Sequence, residues 1–344
     1  MTDYIKLEVS KNRVKKSGKI LSNPLSSDKE KVAARDIVSQ FRSAHQYPML
    51  SIANNVRNVA RTVNPDNAII AQRLKRLPTI IDKLERYPDM NVVTMQDLGG
   101  CRVILPTIEE VFQLRKELKN QKRSRNIIKR EYDYLNSNPG PQKNGYRGIH
   151  LVYGYMASKE EYQGYQVELQ IRTALEHSWA TAVETIDLFS GNRIKYSSAS
   201  EEYIRYFVLV SSLMALEEGS ALVPGTTSNM DDLIHELFRL ERKLNILQML
   251  ESYKAVVNEH SKSNKKSYLT LELDRDRKNL NVNMHKNISE AESRINEIEL
   301  EDDSNIDAVL INVGKIDMLR GAYPNYFADT EKFSNFVNER IANV

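Results

Sequence analysis

The 344-residue chain contains one cysteine, six histidines and no apolar run long enough to cross a bilayer. The single Cys101 excludes an intrachain disulfide framework and a cysteine-based zinc site, so we expect a protein of the reducing cytoplasm. The histidines are scattered, and none forms a pair with metal-ligand spacing. The first residues lack the apolar core of a signal peptide. The most apolar stretch, Tyr206–Leu216, is too short to span a membrane and predicts a buried helix, so we expect no membrane contact.

An excess of one charge is also lacking, since the formal net charge is only +3. The chain is not generally basic, and any nucleic-acid surface must therefore be a local patch. Two runs rich in Lys and Arg are candidates, Lys119–Arg130 and Lys11–Lys19. Such runs are often only solvated faces, but the first directly precedes a loop of turn-forming residues, which favours phosphate contacts. Its candidate nucleic-acid-binding residues are Lys122, Arg123, Arg125, Lys129 and Arg130.

The segment Tyr165–Thr173 has the period-two pattern of a strand with one apolar face and one polar face. Glu168, Gln170 and Arg172 share the polar face. A surface strand often has this pattern, but this segment leads directly into a helical pattern, so we expect both of its ends to be packed. A carboxylate, an amide and a guanidinium on one strand face indicate a site for phosphates and a metal ion.

A second segment, Val92–Leu105, begins and ends with a strand pattern that Gly99 and Gly100 interrupt. Paired glycines in such a pattern mark a bulge or the close approach of a backbone or ligand. Asp97 lies just before them. Carboxylates from two strands of one sheet, here Asp97 and Glu168, can hold Mg²⁺, which prefers oxygen ligands and keeps waters and substrate phosphates in its shell. Each acid alone is compatible with an ordinary exposed residue, but together they predict a magnesium site.

The stretch Asn136–His150 is rich in turn-forming residues and then becomes extended. It predicts a loop that delivers Tyr146 and His150 to the end of a sheet. Tyr146 could stack on a base, and His150 could contact phosphate. The alternative is a surface hairpin with an amphipathic tyrosine at its base.

The remaining patterns predict an α+β protein of two or three domains. Residues 1–225 would form a domain in which strands and helices alternate between helical flanks. Residues 226–267 would form a long connecting helix, with an apolar seam that docks on this domain, and a polar linker. Residues 268–344 would form a small β-β-α-β-α-α module with its own marginal core. The seam consists of Leu233, Leu237, Leu240, Leu244 and Leu247.

Three motifs follow one another in the first domain: Asp-Leu-Gly-Gly-Cys-Arg at 97–102, Asn-Gly-Tyr-Arg-Gly-Ile-His at 144–150 and Val-Glu-Leu-Gln-Ile-Arg-Thr at 167–173. In this order and at this spacing they resemble the synthetase domain of the RelA/SpoT family. The resemblance extends over about residues 35–190. It implies a nucleotidyltransferase-like mixed β-sheet flanked by helices. It also implies transfer of pyrophosphate from ATP to a ribose hydroxyl.

The resemblance implies a role for each matching residue. Asp97 and Glu168 would bind Mg²⁺, with Glu168 also the candidate base, and Tyr146 would stack on the acceptor base. These three residues are the implied catalytic set. Arg73 and Arg102 would sandwich the adenine of ATP. The complete set of implied ATP-binding residues is Arg73, Lys75, Arg102, His150 and Gln170.

Two positions depart from the common family pattern. Arg76 stands where the family commonly has Ser, and Gln142 stands where alarmone synthetases usually carry Lys. The stretches Tyr146–His150 and Trp179–Glu184 are instead similar to the toxic small synthetases. Those enzymes are understood to pyrophosphorylate the terminal adenosine of the tRNA 3′ CCA end, which blocks aminoacylation.

The acceptor therefore has more than one reading. The first is tRNA, contacted by the Lys119–Arg130 run. The second is a free nucleotide, with (p)ppGpp or (p)ppApp as the product. A third reading, without catalysis, is an inactive sensor that binds nucleotide or a coat protein. The presence of Asp97, Tyr146 and Glu168 argues against this third reading.

The C-terminal module has no cluster of catalytic residues, but it contains Tyr323 and Tyr326 on either side of Pro-Asn. Such rings suit an interface or an adenine pocket, or they pack under their own helix. The whole chain resembles the CapRel type of fused toxin–antitoxin, whose C-terminal pseudo-zinc-finger module blocks the ATP site through a Tyr-x-x-Tyr motif. The resemblance implies that Tyr323 and Tyr326 are autoinhibitory and that a phage major capsid protein is the trigger.

Overall fold

A computed structural model describes residues 4–121, 124–136, 139–190, 201–250, 267–274, 279–300, 306–313, 330–342 and 344. The chain divides into two compact units. The first unit comprises Met1–Val103, Phe112–Glu131 and His150–Gln170. The second unit comprises Ile104–Val111, Tyr132–Ile149 and Ile171–Val344.

Three helices open the first unit: α1 (Lys11–Leu21), α2 (Asp28–Ala44) and α3 (Gln46–Val63). A capping box begins α2, because the Ser27 hydroxyl accepts from the Glu30 main chain while the Glu30 carboxylate accepts from the Ser27 main chain. The apolar faces of these helices are buried, as their periodic pattern predicts.

Five strands form the main sheet: β1 (Ile69–Leu74), β2 (Gly99–Leu105), β3 (Ile127–Asp133), β4 (Ile149–Gly154) and β5 (Gln166–Thr173). Their order is β1-β2-β5-β4-β3, so β5 lies between β2 and β4 and β3 forms one edge. Helices α4 (Leu77–Arg86) and α5 (Ile108–Lys119) follow β1 and β2 in the chain. The sheet with its helices confirms the predicted α+β class.

The strand prediction for β5 is confirmed, since Val167, Leu169 and Ile171 are fully buried. The prediction for Val92–Leu105 is only partly right. Val92–Thr94 form a 3-10 turn, and the strand begins at Gly99. The Asn91 side chain accepts a hydrogen bond from the Val93 N–H and starts this turn. This local hydrogen bond competes with strand formation, and the strand pattern in the sequence does not reveal it.

Helices dominate the second unit: α6 (Ala174–Ser190), α7 (Glu201–Glu217) and α8 (Met230–Leu244). The predicted buried helix is α7, in which Tyr206–Ala215 are buried. The predicted leucine seam lies in the same core: Leu233 and Leu237 are buried, and the other three leucines of the seam are packed against it. The predicted continuous helix is interrupted, however, because Asn245 adopts a left-handed conformation with a φ of 52° and ends α8, so Leu247 lies beyond it. The seam packs on helices of the first predicted domain.

A separate three-stranded sheet follows, made of β6 (Ser267–Asp274), β7 (Asn279–His285) and β8 (Ile306–Val313). Its order is β7-β6-β8, and both pairs are antiparallel, with Leu271 opposite Val282 and Val309. Helix α9 (Ile288–Leu300) connects β7 to β8. Its residues Ala291, Ile295 and Ile298 are buried, and the Asn287 side chain caps its first turn by accepting from the Glu290 N–H at 2.9 Å.

The last helix, α10 (Glu331–Ile341), differs from the sequence-based domain assignment. We expected it in the 268–344 module, but Phe333, Phe336 and Val337 are buried in the core that α6, α7 and α8 form. The Phe333 ring lies 5.7 Å from that of Phe207. Its short amphipathic pattern fits either location, so the sequence could not place it. The predicted inhibitory residues Tyr323 and Tyr326 lie outside the described residues.

Within the described part of the chain, no helix is long and apolar enough to cross a membrane. The same part holds no cluster of three or more His, Cys, Asp or Glu side chains suited to a metal ion.

Candidate active site

The candidate site in the first unit contains a carboxylate that is hydrogen-bonded to two lysines. The Asp97 carboxylate accepts from Lys75 Nζ at 2.9 Å and from Lys83 Nζ at 3.0 and 3.1 Å. Lys75 directly follows β1, and its backbone is fixed on both sides. Its N–H donates to the Leu98 carbonyl at 2.8 Å, and its carbonyl accepts from Arg42 Nε at 2.7 Å.

Two effects compete at Asp97. Burial raises its pKa, but Lys75 and Lys83 together lower it by more, so the net shift is downward. Its side chain keeps 20% of its surface exposed. Asp97 is thus an ionised carboxylate that a ligand can reach, with two ammonium groups beside it.

A second carboxylate lies on β5. Glu168 accepts from Gln170 Nε2 at 2.8 Å, and its other oxygen lies 3.1 Å from His150 Nδ1 on β4. Burial raises the pKa of Glu168, but His150, Gln170 and Lys75 outweigh this effect and bring it to about 2. Glu168, on the predicted polar face of β5, thus contacts His150, the last residue of the predicted loop Asn136–His150.

The two carboxylates act on each other and on one lysine. Glu168 raises the pKa of Asp97 by repulsion, while Lys75 lowers the pKa of both. The structure therefore places Asp97 close enough to Glu168 for their charges to interact. The predicted pair of strands is only partly right, because Asp97 lies two residues before β2 begins. Two ionised carboxylates supply hard oxygen ligands, and Mg²⁺ usually takes one or two of these and completes its shell with waters and phosphates. The donor set fits a magnesium ion, although its role stays a prediction.

Two further predicted ATP-binding residues lie on adjacent strands. Arg73 on β1 and Arg102 on β2 are both half-buried. Arg73 lies two residues before Lys75, and Arg102 lies five residues after Asp97. The adenine-binding role of the two arginines stays a prediction.

In the predicted loop Asn136–His150, called the acceptor loop below, all residues except His150 belong to the second unit. Tyr146 is half-buried, and its hydroxyl accepts from Arg172 Nη2 at 2.7 Å. Gly145 has a φ of +94°, and a Cβ there would lie 2.8 Å from the Trp179 ring. Glycine is therefore required at this position both for its backbone conformation and for the space beneath the loop.

Next to Tyr146, Arg147 is anchored in the interior and is 3% exposed. It lies between the carboxylates of Glu176 and Glu218, at 3.8 and 3.7 Å, and donates to Ser220. Burial raises the pKa of Glu176, and burial together with Glu176 raises that of Glu218 to about 7. The loop is thus fixed by a buried ionic cluster.

Part of the predicted nucleic-acid-binding patch is exposed to solvent. Arg125, Lys129 and Arg130 are exposed on or beside the edge strand β3. Lys119, at the start of the run, instead pairs with Glu131 at 2.6 Å. Lys122 and Arg123 lie outside the described residues. In the second predicted patch, all five basic side chains of Lys11–Lys19 are exposed.

The sequence patterns did not identify Lys83, which contacts Asp97 in the first unit, or Arg147, which anchors the loop in the second unit. Lys83 lies on α4, where a lysine reads as part of a solvated face, and only the fold brings it to Asp97. Arg147 stands within the recognised motif, but its buried partners come from α6 and the end of α7. No local signal identifies such pairs, because they depend on tertiary contacts.

Comparison with known proteins finds similarity to the same family that the three sequence motifs resemble. Residues 72–187 match the family described as "Region found in RelA / SpoT proteins". GTP pyrophosphokinase YjbM of Bacillus subtilis is 28% identical over 141 residues, which cover 38% of this chain and 64% of that protein. An uncharacterized protein of Mycobacterium tuberculosis, Rv1366, is 26% identical over 143 residues, covering 41% and 48%. The chain thus spans 64% and 48% of the length of these relatives.

Among solved structures, small alarmone synthetase 1 from Bacillus subtilis is 23% identical, with a TM-score of 0.42, over 53% of this chain and 92% of that one. The same enzyme bound to its product pppGpp is 20% identical in the aligned region, with a TM-score of 0.43, over 53% and 94%.

Proposed function

We propose that the protein is a pyrophosphokinase with ATP as the donor. The reason is that residues 72–187 match the region found in RelA / SpoT proteins. The observation that carries this proposal is the pair of ionised carboxylates, Asp97 and Glu168, with Lys75 and Lys83 beside them. Phosphoryl-transfer sites need little covalent chemistry from the protein and depend on positioning and charge stabilisation. The cluster supplies cations for phosphates and carboxylates for a metal ion.

In the proposed reaction, the ribose 3′-hydroxyl oxygen of the acceptor bonds to the β-phosphorus of ATP. The bond from that phosphorus to the oxygen shared with the α-phosphate breaks, and AMP leaves. Asp97 and Glu168 would hold Mg²⁺, which neutralises phosphate charge when bound. Lys75 and Lys83 then donate to phosphate oxygens. These interactions stabilise the charge on the transferred group.

Glu168 has a pKa of about 2 and is therefore a weak base before the reaction begins. In a loose transition state the hydroxyl becomes acidic late, once its bond to phosphorus has largely formed. A carboxylate of this kind can orient the hydroxyl and take its proton at that stage. The role of Glu168 is thus mainly that of a metal ligand and a positioned acceptor for a late proton.

The proposed acceptor is the terminal adenosine of the tRNA 3′ CCA end. Gln142 removes the cation that a free guanine nucleotide would be expected to use, and Arg125, Lys129 and Arg130 are exposed for contacts with an RNA backbone. Tyr146 would stack on the terminal base. Modification of this end would inhibit translation.

A second candidate acceptor is a free nucleotide. The names of the relatives favour it, since they include a GTP pyrophosphokinase and an alarmone synthetase bound to pppGpp. In that case the C-terminal module would be an ordinary regulator of an alarmone synthetase.

Radiolabelled ATP separates the two acceptors. The Tyr323→Ala variant, in which the proposed block of the ATP site is removed, would be incubated with ATP labelled on the γ-phosphate, together with tRNA, tRNA lacking its terminal adenosine, GDP or GTP. The tRNA proposal predicts label on intact tRNA only. Label on GDP or GTP alone would favour the alarmone reading, and no label on any acceptor would overturn the proposed activity.

The C-terminal module is the proposed regulator, as in a CapRel-type toxin–antitoxin. Tyr323 and Tyr326 would block the ATP site, and a phage major capsid protein would release it as part of an anti-phage response. The helices on both sides of the 267–313 sheet, α8 and α10, pack in one core. This double tether keeps the module at a high effective concentration, on the order of millimolar for a short linker.

A further inference from the structure

One side chain on the polar face of β5 has no part in the chemistry described above. Arg172 is 4% exposed, and its guanidinium carbon lies 5.0 Å from the centre of the Tyr146 ring. Its Nη2 donates to the Tyr146 hydroxyl at 2.7 Å. A buried guanidinium is costly unless it is hydrogen-bonded and neutralised, so its presence under an acceptor loop requires an explanation.

The surroundings hold Arg172 in one place. Gly148 has a φ of +143°, and a Cβ there would lie 3.2 Å from Arg172 Cγ, so only glycine leaves room for the arginine stem without a shift. Burial lowers the pKa of Arg172, but Tyr146 and the acidic Glu184 and Glu176 of α6 more than offset this. The guanidinium is thus permanently charged and fixed between the helix and the loop residue.

The backbone of Tyr146 is fixed independently of Arg172. Its carbonyl accepts from the Gln142 N–H at 3.0 Å, and its N–H donates to the Asn144 side chain at 3.1 Å. The Tyr134 ring also packs against the Tyr146 ring, with 5.7 Å between the centres and an angle of 76° between the planes. These contacts fix the start of the side chain, whereas the bond from Arg172 holds its far end.

We propose that Arg172 is a positioning residue for the acceptor, which holds the Tyr146 ring in the orientation that stacks on the acceptor base. The proposal rests on the proposed function, in which Tyr146 stacks on that base. A ring that is already oriented does not lose conformational freedom when the acceptor binds, so the benefit falls on acceptor affinity and not on ATP affinity. An arginine suits this task better than a lysine, because its rigid fork can bond the hydroxyl while it also faces the acids of α6.

A double-mutant cycle tests the proposal in the chain that carries Tyr323→Ala, so that the ATP site is open, with Arg172→Lys, Tyr146→Phe and the combination of both. The dissociation constant for CCA-ended tRNA is measured without ATP, and the KM values for tRNA and ATP are measured in turnover. Each single change should weaken tRNA binding about tenfold, as expected for loss of a hydrogen bond to a charged group. The KM for ATP should stay unchanged. The double variant should be no weaker than Tyr146→Phe alone, because both changes remove the same bond.

Arg205→Lys is the matched control, since Arg205 also bonds an acid, Glu236, in the second unit. It should leave tRNA and ATP affinities unchanged. Additive effects in the cycle, or equal losses in tRNA and ATP affinity, would show a merely structural role and overturn the proposal. Failure of the proposed function is distinguishable, because in that case the Tyr323→Ala parent chain itself neither binds nor labels tRNA. Since the binding arm requires no turnover, it reports on Arg172 even where wild-type transfer is slow.

Discussion

Glu168 and Glu218 show how neighbouring groups shift the pKa values of two partly buried carboxylates in opposite directions. At Glu168, the favourable contacts with His150, Gln170 and Lys75 outweigh burial, and the pKa falls to about 2. At Glu218, burial and repulsion from Glu176 outweigh the nearby Arg147, and the pKa rises to about 7. The first residue is therefore ionised for cation binding, and the second holds a proton below neutral pH.

The raised pKa of Glu218 predicts a specific pH dependence of stability. The ordinary pKa is 4.5, so between about pH 4.5 and 7 the folded chain binds more protons than the unfolded chain. The free energy of unfolding therefore falls as pH rises through this window. Glu218→Gln should remove that fall, a difference on the order of 2 kcal/mol.

Urea unfolding at pH 5 and pH 7.5 measures this effect in the wild type and in Glu218→Gln. The exposed Glu217, next to it in sequence, offers a control in Glu217→Gln, which should keep the wild-type pH dependence. An equal fall in stability for wild type and Glu218→Gln would contradict the raised pKa.

At the residue scale, part of the site was predictable from sequence. The shared face of Glu168, Gln170 and Arg172 follows from the period of a strand. The burial of Arg172 does not follow from this pattern, because an alternating strand reads as polar and exposed on that side. Lys83 on α4 reaches Asp97 only in the folded chain, and no spacing between the two residues in the sequence indicates this contact.

At the scale of elements, long periodic patterns were the reliable guides. The α7 helix, the α8 seam and the β-β-α-β order of the C-terminal module follow their hydrophobic periods in the structure. The 3-10 turn at Val92–Thr94 was mistaken for a strand, because a short β-branched run has strand propensity and a local Asn91 bond outweighs it. For an element this short, the sequence alone does not show whether strand propensity or a local hydrogen bond determines the structure.

The α10 helix leads to a prediction at this scale. Phe333 is fully buried in the core of α6, α7 and α8, so Phe333→Ala should lower the free energy of unfolding by about 3–5 kcal/mol. The change is measured by the midpoint of urea unfolding, with the exposed Glu331→Ala as control. A loss confined to the unfolding of the 267–313 module, with the helical core unaffected, would contradict the location of α10.

At the scale of the whole molecule, we propose an enzyme that is inhibited by its own C-terminal module. Such a switch needs a bistable contact and an activator that prefers the open form. To move the population from 1:99 to 99:1, the activator must bind the open form better by about 5.5 kcal/mol. A tethered module makes closure favourable even when the contact itself is weak.

Autoinhibition predicts the effect of Tyr323→Ala. Cells that express this variant should stop growing without any trigger, because the ATP site would stay open. Growth and translation rates are compared with wild-type chain at matched expression. A second arm combines Tyr323→Ala with Glu168→Gln, which should restore growth if toxicity requires transfer. Normal growth with Tyr323→Ala alone would remove the inhibitory role of this residue.

The central claim is that Asp97 and Glu168 together support pyrophosphate transfer from ATP. Its most direct test is acceptor-dependent release of AMP by the Tyr323→Ala chain, whose ATP site is proposed to be open, measured with and without the further change Glu168→Gln. The account predicts AMP formation that requires the acceptor and falls at least about a hundredfold in the variant, in line with loss of a group that stabilises transferred charge. Circular dichroism should show the same fold in both proteins. Undiminished AMP release from Glu168→Gln would contradict the account.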